Sequence, residues 1–571
     1  MQLRLRIGEN TALDCSTSVR ELLESYDEIT IDQEISKGVF LFSLDSKQFL
    51  FFAPSTDVLD SNASVFLYND SGLDIPHILL YEKTIQGVDG IPDGNYRWIC
   101  LYEQESIVAS IASFEDKILD TIDRLIELLS MPETEQEHEF QKEFMYYWNG
   151  SSASDNKFDI YLNHNQVFSE LRVFYGDNKT RIIDNTISLS DLDIWEKKRR
   201  RWIRHIENDA FYIPIEDCRG IIPPHKGYGW TIRDVERVLY DYQINHISHA
   251  TSIIIRNTIP KTQNLILVFG MHSVYSNSAF ALKVNCKFGK GHSLFDKITN
   301  DGVSVEPLFS TRKDFLYMNE QIGNTIGLIN KKITIIGAGS LGSYVASELV
   351  KNGALNIRIY DDDILEDVNV LRWFYGGVGI GKPKVSVLSD LLNSLHPEIK
   401  VESVNNKIDE KSLLEEITKT DLLIFTIGSS DQQIKFNRVL KRANCSIPVI
   451  YVWLEAGGES SHLLVVNYQE RGCYECLFTD EKGCLVNNRG NSNDDNSNNT
   501  IIRNGCGGTR AAYGTATILR TTAALLVVIR KTMSEEIKEN VLIDISAESV
   551  RESETKFPEE ACACCGNRNK Q

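Results

Sequence analysis

Residues 331–363 read KKITIIGAGSLGSYVASELVKNGALNIRIYDDD. An apolar run, Ile333–Ile336, stops at Gly337, Gly339 and Gly342, which stand in G-x-G-x-x-G spacing. An amphipathic, helix-like segment follows, then a second apolar run that ends on Asp361, Asp362 and Asp363. Strand, glycine turn, helix, strand and acid in this order predict a mononucleotide-binding βαβ unit. The glycines let the backbone turn tightly and approach phosphate, and the helix N-terminus offers unpaired N–H groups to the anion. Asp361, at the end of the second strand, is placed to hold a ribose hydroxyl. Which nucleotide binds is decided by residues further along the chain.

The 571 residues are enough for about three or four domains. With 42% hydrophobic and 25% charged residues the composition is that of a globular protein with a packed core. A formal net charge of −20 argues against general binding to nucleic acid or to an anionic membrane. The basic run Lys197–Arg201, KKRRR, is read as the solvated face of a helix. No stretch approaches about 18 consecutive apolar residues, and MQLRLRIGEN at the amino terminus has no apolar signal core, so a cytoplasmic location is expected.

The twelve cysteines are unevenly placed. Cys473 and Cys476 form one C-x-x-C and Cys562 and Cys565 a second, with Cys564 inside the latter. In such a chain two distant knuckles predict a structural Zn²⁺ site rather than disulfides, with Cys564 an alternative ligand to Cys562 or Cys565. Of Cys15, Cys100, Cys218, Cys286, Cys445, Cys484 and Cys506, most are expected to be buried as small hydrophobes. Cys100 and Cys506 are set apart below.

Residues 1–150 read as a small α+β domain. Strand-like runs (Val39–Leu44, Gln48–Phe52, Ile78–Tyr81, Tyr96–Leu101) alternate with turns such as Tyr68–Gly72 and Pro92–Asn95. An amphipathic stretch, Ile107–Met131, carries Ile111, Ile118, Ile122, Leu125, Ile126 and Leu129 at helical spacing, and a second helix is expected over Glu133–Trp148. A strand meander, Pro76-His77, Ile99-Cys100-Leu101, a long helix and a terminal Trp148 together resemble the bacterial ubiquitin-conjugating-enzyme-like domains. The resemblance implies that Cys100 is a thioester-carrying nucleophile; the residues of this domain alone favour a buried strand cysteine between two apolar neighbours.

Residues 151–310 give mixed helix and strand signals, with strands at Lys157–Leu162, Leu171–Tyr175 and Leu265–Gly270, a helix at Thr231–Gln243 and a loop at Gly220–Tyr228. No glycine fingerprint occurs, and chain order points to a mixed α/β scaffold, a degenerate adenylation-type half.

Residues 311–571 form the third expected domain. After Asp361 the string DDDILEDVNVLRWFYGGVGIGKPKV places Asp363, Asn369, Arg372 and Lys384 in the order acid, Asn-x-x-Arg, Gly-x-x-Lys, and an apolar strand, Leu422–Ile427, leads to GSSDQQ with Asp431. With Cys473-Tyr-Glu-Cys476 and the terminal knuckle, this sequence resembles the activating-enzyme family of ThiF, MoeB and the ubiquitin-activating enzymes. The resemblance implies a Rossmann-like adenylation domain using ATP and Mg²⁺, with Gly337, Gly339, Gly342, Asp361, Asp363, Asn369, Arg372 and Lys384 at the nucleotide and Asp431 on the metal. Family members usually carry Thr-Asp-Asn where this chain has Ser430-Asp431-Gln432. The chemistry agrees: attack of a carboxylate on the α-phosphorus builds charge on phosphate oxygens, which fixed cations and Mg²⁺ would offset. An NAD-dependent oxidoreductase would need the glycines and Asp361 but not Arg372, Lys384 and Asp431, and a non-catalytic scaffold would need none of them.

The stretch Asn487–Thr500 has no apolar side chain and is read as a mobile loop. Cys506 follows it, before a helix expected over Ala511–Arg530. The resemblance places the catalytic cysteine in this crossover (about 477–510), at Cys506 with Cys484 as competitor, and a helix N-terminus would stabilise its thiolate. The resemblance also offers Arg312 as a candidate for an arginine supplied across a homodimer interface, as in some family members.

The two resemblances in one chain match the fusion found in type II CBASS anti-phage operons. That family joins the carboxyl terminus of a cyclic-nucleotide synthase, a CD-NTase, to target lysines. The expected sequence is acyl-adenylate formation on a carboxyl-terminal glycine, thioester formation on Cys506, transthiolation to Cys100 and ligation to an amine. A sulfur-carrier adenylyltransferase of the ThiF or MoeB kind is the alternative, and it has no need of Cys100.

Overall fold

The structure is a computed structural model that describes residues 15–54, 62–69, 73–78, 83–87, 91–102, 114–152, 156–162, 167–175, 179–187, 204–205, 209–225, 229–241, 244–261, 264–272, 277–285, 292–294, 296, 303–323, 327–491, 501–503 and 509–566. It divides into one unit of residues 1–160, 166–185 and 204–312 and a second of residues 161–165, 186–203 and 313–571.

The first unit contains two sheets. Strands β1 (Thr30–Ser36), β2 (Val39–Leu44), β3 (Lys47–Phe52), β4 (Ser64–Tyr68), β5 (Lys83–Ile85) and β6 (Gly94–Ile99) pair antiparallel in the order β1-β2-β3-β4-β6-β5. Phe40 and Phe42 of β2 stand opposite Phe51 and Phe49 of β3, and all four are buried. The helix Phe114–Leu129 covers this face with Ile118, Ile122 and Leu125, spaced by four and three residues as one helical stripe requires. Ile111 and the rest of the expected helix before Phe114 lie outside the described residues, as does the expected strand beyond Ile78.

The single helix expected over Glu133–Trp148 is two. Glu143, at φ −95° and ψ 16°, separates Glu133–Lys142 from Phe144–Gly150. The break lets Trp148 enter the core of the other sheet, where its Nε1 donates to the carbonyls of Ala281 (3.2 Å) and Leu308 (3.1 Å). The aromatic run at the end of the amino-terminal segment is therefore core for the segment that follows.

That second sheet comprises β7 (Lys157–Tyr161), β8 (Ser169–Tyr175), β9 (Lys179–Asp184), β10 (Arg204–His205), β11 (Asp209–Ile215), β12 (Asn264–His272), β13 (Asn277–Asn285) and β14 (Ser304–Arg312). Its order is β10-β8-β11-β12-β13-β14-β7-β9, and a further β8–β9 pairing closes the strands into a ring. Two neighbouring pairs, β11–β12 and β14–β7, are parallel. The helix expected over Thr231–Gln243 runs Ile232–Tyr240, started by a capping box between Thr231 and Asp234.

The second unit holds β15 (Lys332–Ile336), β16 (Asn356–Tyr360), β17 (Lys400–Val404), β18 (Leu422–Phe425), β19 (Val449–Leu454), β20 (Ser461–Val466), a separate ribbon of β21 (Ile501–Arg503) and β22 (Thr509–Ala511), and β23 (Val541–Ile545) and β24 (Val550–Glu552). The main sheet runs β17-β16-β15-β18-β19-β20-β23-β24, parallel from β17 to β19 and antiparallel beyond. Strands such as LLIF (Leu422–Phe425) are apolar throughout because both faces are covered. Leu341, Val345 and Leu349 of the helix Ser340–Lys351 pack with Ile518, Leu525 and Ile529 of the helix Thr515–Met533 on one face. Phe436, Val439 and Leu440 of the helix Ser430–Arg442 cover the other. Among the described residues no helix is long and apolar enough to cross a membrane.

Candidate functional site

Strand order reverses at β15: β16 and β17 lie to one side, β18 and β19 to the other. The crevice at the carboxyl ends of such strands is where open α/β sheets bind ligands. Here it is a cleft of about 430 Å³ lined by Gly337, Gly339, Asp361, Lys407, Ser429 and Lys435, among others.

The three glycines do different work. Gly337 sits at φ +108°, where a side chain is strained. A Cβ on Gly342 would lie 2.0 Å from the Gly337 carbonyl oxygen, so the helix Ser340–Lys351 can approach the turn only without one. Gly339 caps that helix and has open space where a Cβ would stand. Its backbone is thus exposed at the end of a helix whose first N–H groups point outward.

Asp361 follows β16 and accepts from the backbone N–H of Ala338 (2.6 Å) and of Asp363 (2.8 Å), which ties the acid to the glycine turn. Burial pushes its carboxyl above the ordinary value, while those two N–H groups and Lys384 pull it back. Lys384 opens the helix Lys384–Asn393; its side chain is only 9% exposed and its Nζ donates to Asp363 at 2.8 Å. Asn369 accepts from the Glu366 N–H (3.1 Å) and so shapes the short turn Asp367–Asn369. That turn is held to the glycine loop by Trp373, whose Nε1 donates to the Ala338 carbonyl (2.9 Å), and by the Phe374 N–H on Ser343 Oγ (3.2 Å). Arg372 lies between these two anchors and the turn.

Asp431 is exposed in the first turn of the helix Ser430–Arg442, between the cleft-lining Ser429 and Gln432. Asp361 and Asp363 line the cleft itself, whereas Asn369, Arg372, Lys384 and Asp431 are not part of its lining. The segment Asn406–Asp409 and Lys435, also in the lining, were not singled out in the sequence. The signal that would have found Asn406–Asp409 is its place just beyond the carboxyl end of β17. Lys407 is paired with Asp362 at 3.6 Å and Lys435 with Glu410 at 3.8 Å.

Cys473, Cys476, Cys562 and Cys565 come together as the spacing predicts, with all four sulfur atoms within 4.8 Å of one another. Cys473 and Cys562 are 3.8 Å apart and Cys476 and Cys565 3.2 Å. Four thiolates around Zn²⁺ at about 2.3 Å would be separated by about 3.8 Å, so the donor set and its size fit a structural zinc. Cys564 is outside this cluster and accepts from Asn437 at 3.4 Å.

Cys506 lies outside the described residues, as do residues 197–201 and 492–500. The helix after it begins at Thr515 rather than Ala511, because Thr509–Ala511 pairs with Ile501–Arg503 as β22. Cys484 is exposed, in a turn where its N–H donates to Asp480 (2.7 Å).

In the first unit Cys100 is partly exposed at the end of β6, and its N–H donates to the His77 carbonyl at 2.8 Å. His77 has φ +66°, and its imidazole lies between Glu139 (3.2 Å) and Glu143 (3.3 Å). Burial alone would lower its pKa, but the two carboxylates outweigh it and raise it. Arg312 is 4% exposed and donates to Asn277 at 2.6 Å within the first unit.

Residues 324–564 match the ThiF family. Over this stretch the chain is similar to ThiF-family proteins. A ubiquitin-like modifier-activating enzyme 5 from Dictyostelium discoideum is 24% identical over 172 residues, 27% of this chain and 44% of the relative. The sulfur carrier protein ThiS adenylyltransferase of Escherichia coli is 24% identical over 157 residues, 27% of this chain and 61% of the relative. The chain therefore spans less than two thirds of either. Among solved structures, MccB of E. coli bound to MccA-N7isoASN matches at 21% identity and a TM-score of 0.33, over 42% of this chain and 68% of MccB. The glycine turn, Asp361, Arg372, Lys384, Asp431 and the cysteines Cys473, Cys476 and Cys562 all fall inside the ThiF-type segment, and Cys565 follows it directly.

Proposed function

We propose that the chain activates the carboxyl-terminal glycine of a protein with ATP and passes it, as a thioester, to a target amine. The observation that carries the first half is the cleft at β15. It joins an open backbone turn at Gly339, an acid tied to that turn and two lysines, Lys407 and Lys435, within a segment that matches the ThiF family. The substrate carboxylate attacks the α-phosphorus and pyrophosphate leaves; Arg372 and Lys384 supply positive charge to the phosphates. Asp431 would hold Mg²⁺, a hard cation suited to carboxylate and phosphate oxygens, which neutralises phosphate charge. The Cys506 thiolate attacks the acyl carbonyl and releases AMP. The Cys100 thiolate then displaces Cys506, and a lysine amine displaces Cys100, losing a proton to give an isopeptide bond. Zn²⁺ held by Cys473, Cys476, Cys562 and Cys565 would have a structural role only.

The second half rests on the sequence resemblance of residues 1–150 to conjugating domains, supported by a partly exposed Cys100 whose N–H donates to the His77 carbonyl. On the same ground the protein substrate is a CD-NTase and the setting anti-phage defence in the cytoplasm. A homodimer is supported by an exposed apolar row beside the site, Ile364, Val368, Leu371, Tyr375, Val378 and Ile380, with Leu371 92% exposed. Sedimentation of the L371D variant as a monomer, against a dimeric parent, tests this. A sulfur-carrier adenylyltransferase is the second reading, favoured by the name of the ThiS-directed relative.

Intact mass spectrometry with ATP, Mg²⁺ and a Gly-terminated partner separates the readings. Reductant-sensitive adducts that vanish from both cysteines in C506A, but only from Cys100 in C100A, are expected. ATP–pyrophosphate exchange without any adduct at Cys100 would leave the adenylation reading standing and remove the conjugating one.

A further inference from the structure

One contact of Arg372 is not explained by any motif. Its guanidinium carbon lies 5.7 Å from the centroid of the Tyr513 ring, and among the described residues no carboxylate pairs with it. The Tyr513 hydroxyl is 2.7 Å from Ser340 Oγ, and Ser340 is the first residue of the helix that Gly339 caps. Tyr513 is itself held from behind. The neighbouring Ala512 carbonyl accepts from the Gly457 N–H at 2.7 Å, in the turn between β19 and β20. Thr517 donates to the Gly458 carbonyl in that same turn.

We propose that Tyr513 is a positioning residue for Arg372. The ring face seats the guanidinium, and the hydroxyl fixes the ring to the glycine loop, so that the cation is aimed at the phosphates of a nucleotide at Gly339. A guanidinium left loose on a solvent-exposed turn would lose rotamer freedom on meeting the phosphates; one already seated does not. The attraction between a cation and a ring face strengthens as water is excluded, and a bound nucleotide excludes water here. Nothing in the sequence around Tyr513 marks it, because ring and guanidinium are brought together only by the return of the chain from β22 across the glycine loop.

The proposal rests on the reading of this cleft as an ATP site, and the test separates the two. The full-length protein is titrated calorimetrically with MgATP and, separately, with adenosine, as wild type, R372A, Y513L, Y513F and R372A/Y513L. R372A and Y513L are each expected to weaken MgATP by about 3- to 30-fold, the range of a cation–ring contact, and to leave adenosine within about twofold. The double variant is expected to be no weaker than R372A, since both changes remove the same aimed charge. Y513F keeps the ring and is expected within about threefold of wild type. An R372A variant that binds MgATP normally overturns the assignment of Arg372 to the phosphates, and the proposal with it. A weakened R372A beside an unaffected Y513L overturns only the proposal. If Y513L does not fold, a Y513F that loses as much as R372A overturns it as well, because the ring face would then not be what matters.

Discussion

Gly342 and Gly339 stand three residues apart in one motif, and the structure gives them opposite reasons for being glycine. A Cβ at Gly342 would lie 2.0 Å from the Gly337 carbonyl oxygen, 2.6 Å from Thr426 Oγ1 and 2.9 Å from the Gly337 carbonyl carbon. Two of these atoms are backbone and cannot rotate away, so G342A must push the helix Ser340–Lys351 off the turn by about 1 Å. Overpacking a core in this way costs about 1–3 kcal/mol, and a clash with backbone belongs at the upper end. For a unit of this size, about 3 kcal/mol lowers the unfolding midpoint by roughly 6–12 °C. At Gly339 nothing lies within 4 Å of a Cβ, and φ −68° with ψ −162° suits alanine. G339A is therefore expected to leave stability within about 0.5 kcal/mol. It should still weaken ATP, because its methyl group occupies the space where phosphate meets the backbone. Thermal unfolding and ATP titration of both variants check this. A G342A variant as stable as wild type would refute the close approach. A G339A variant that binds ATP normally would refute the placing of phosphate on this loop.

Three further outcomes follow from other parts of the second unit. Purified protein is expected to hold about one zinc, lost on C476S substitution with a drop in unfolding midpoint, as read by metal analysis and calorimetry. His462 lies between Asp544 (2.8 Å) and Glu455 (2.5 Å); burial lowers its pKa, but the carboxylates outweigh this and raise it. Below about pH 6.5 the imidazolium is present folded or unfolded and its contacts stabilise in full; that stabilisation is lost as pH rises through the higher folded value. Denaturation across that range should show the loss in wild type and not in H462Q. Arg358 donates to Glu416 (2.7 Å) and Glu402 (2.8 Å), and the Glu416 carboxylate is buried. R358M is expected to cost about 2–3 kcal/mol in urea unfolding, less than a fully buried pair because Tyr360 and Thr334 still donate to Glu416.

The parts of this protein legible in its sequence are those where local chemistry and tertiary need coincide. The glycine turn, the acid after β16 and the cysteine knuckles each declare themselves because few residue types can do what the backbone or a metal demands there. The break at Glu143 was not legible, since Glu133–Trp148 is helical by composition throughout; it exists because Trp148 finds its two carbonyl acceptors on β13 and β14. The start of the helix at Thr515 is hidden from the sequence for a similar reason. Thr509–Ala511 has no strong preference, and a partner strand decided its state. The pairing that closes β7–β14 into a ring was equally hidden, because registers between strands distant in sequence leave no periodic mark on either.

The four-cysteine cluster joins positions 89 residues apart in sequence. With Zn²⁺ on the cluster, the chain between Cys476 and Cys562, which carries Cys484, Cys506 and the long Thr515–Met533 helix, would be a closed ring rather than a tail. Closing so long a ring has a loop-entropy cost that grows only with the logarithm of its length, so a crossover of almost any size can be accommodated inside it. The helix and β23 fix how far round the ring any insertion can be felt.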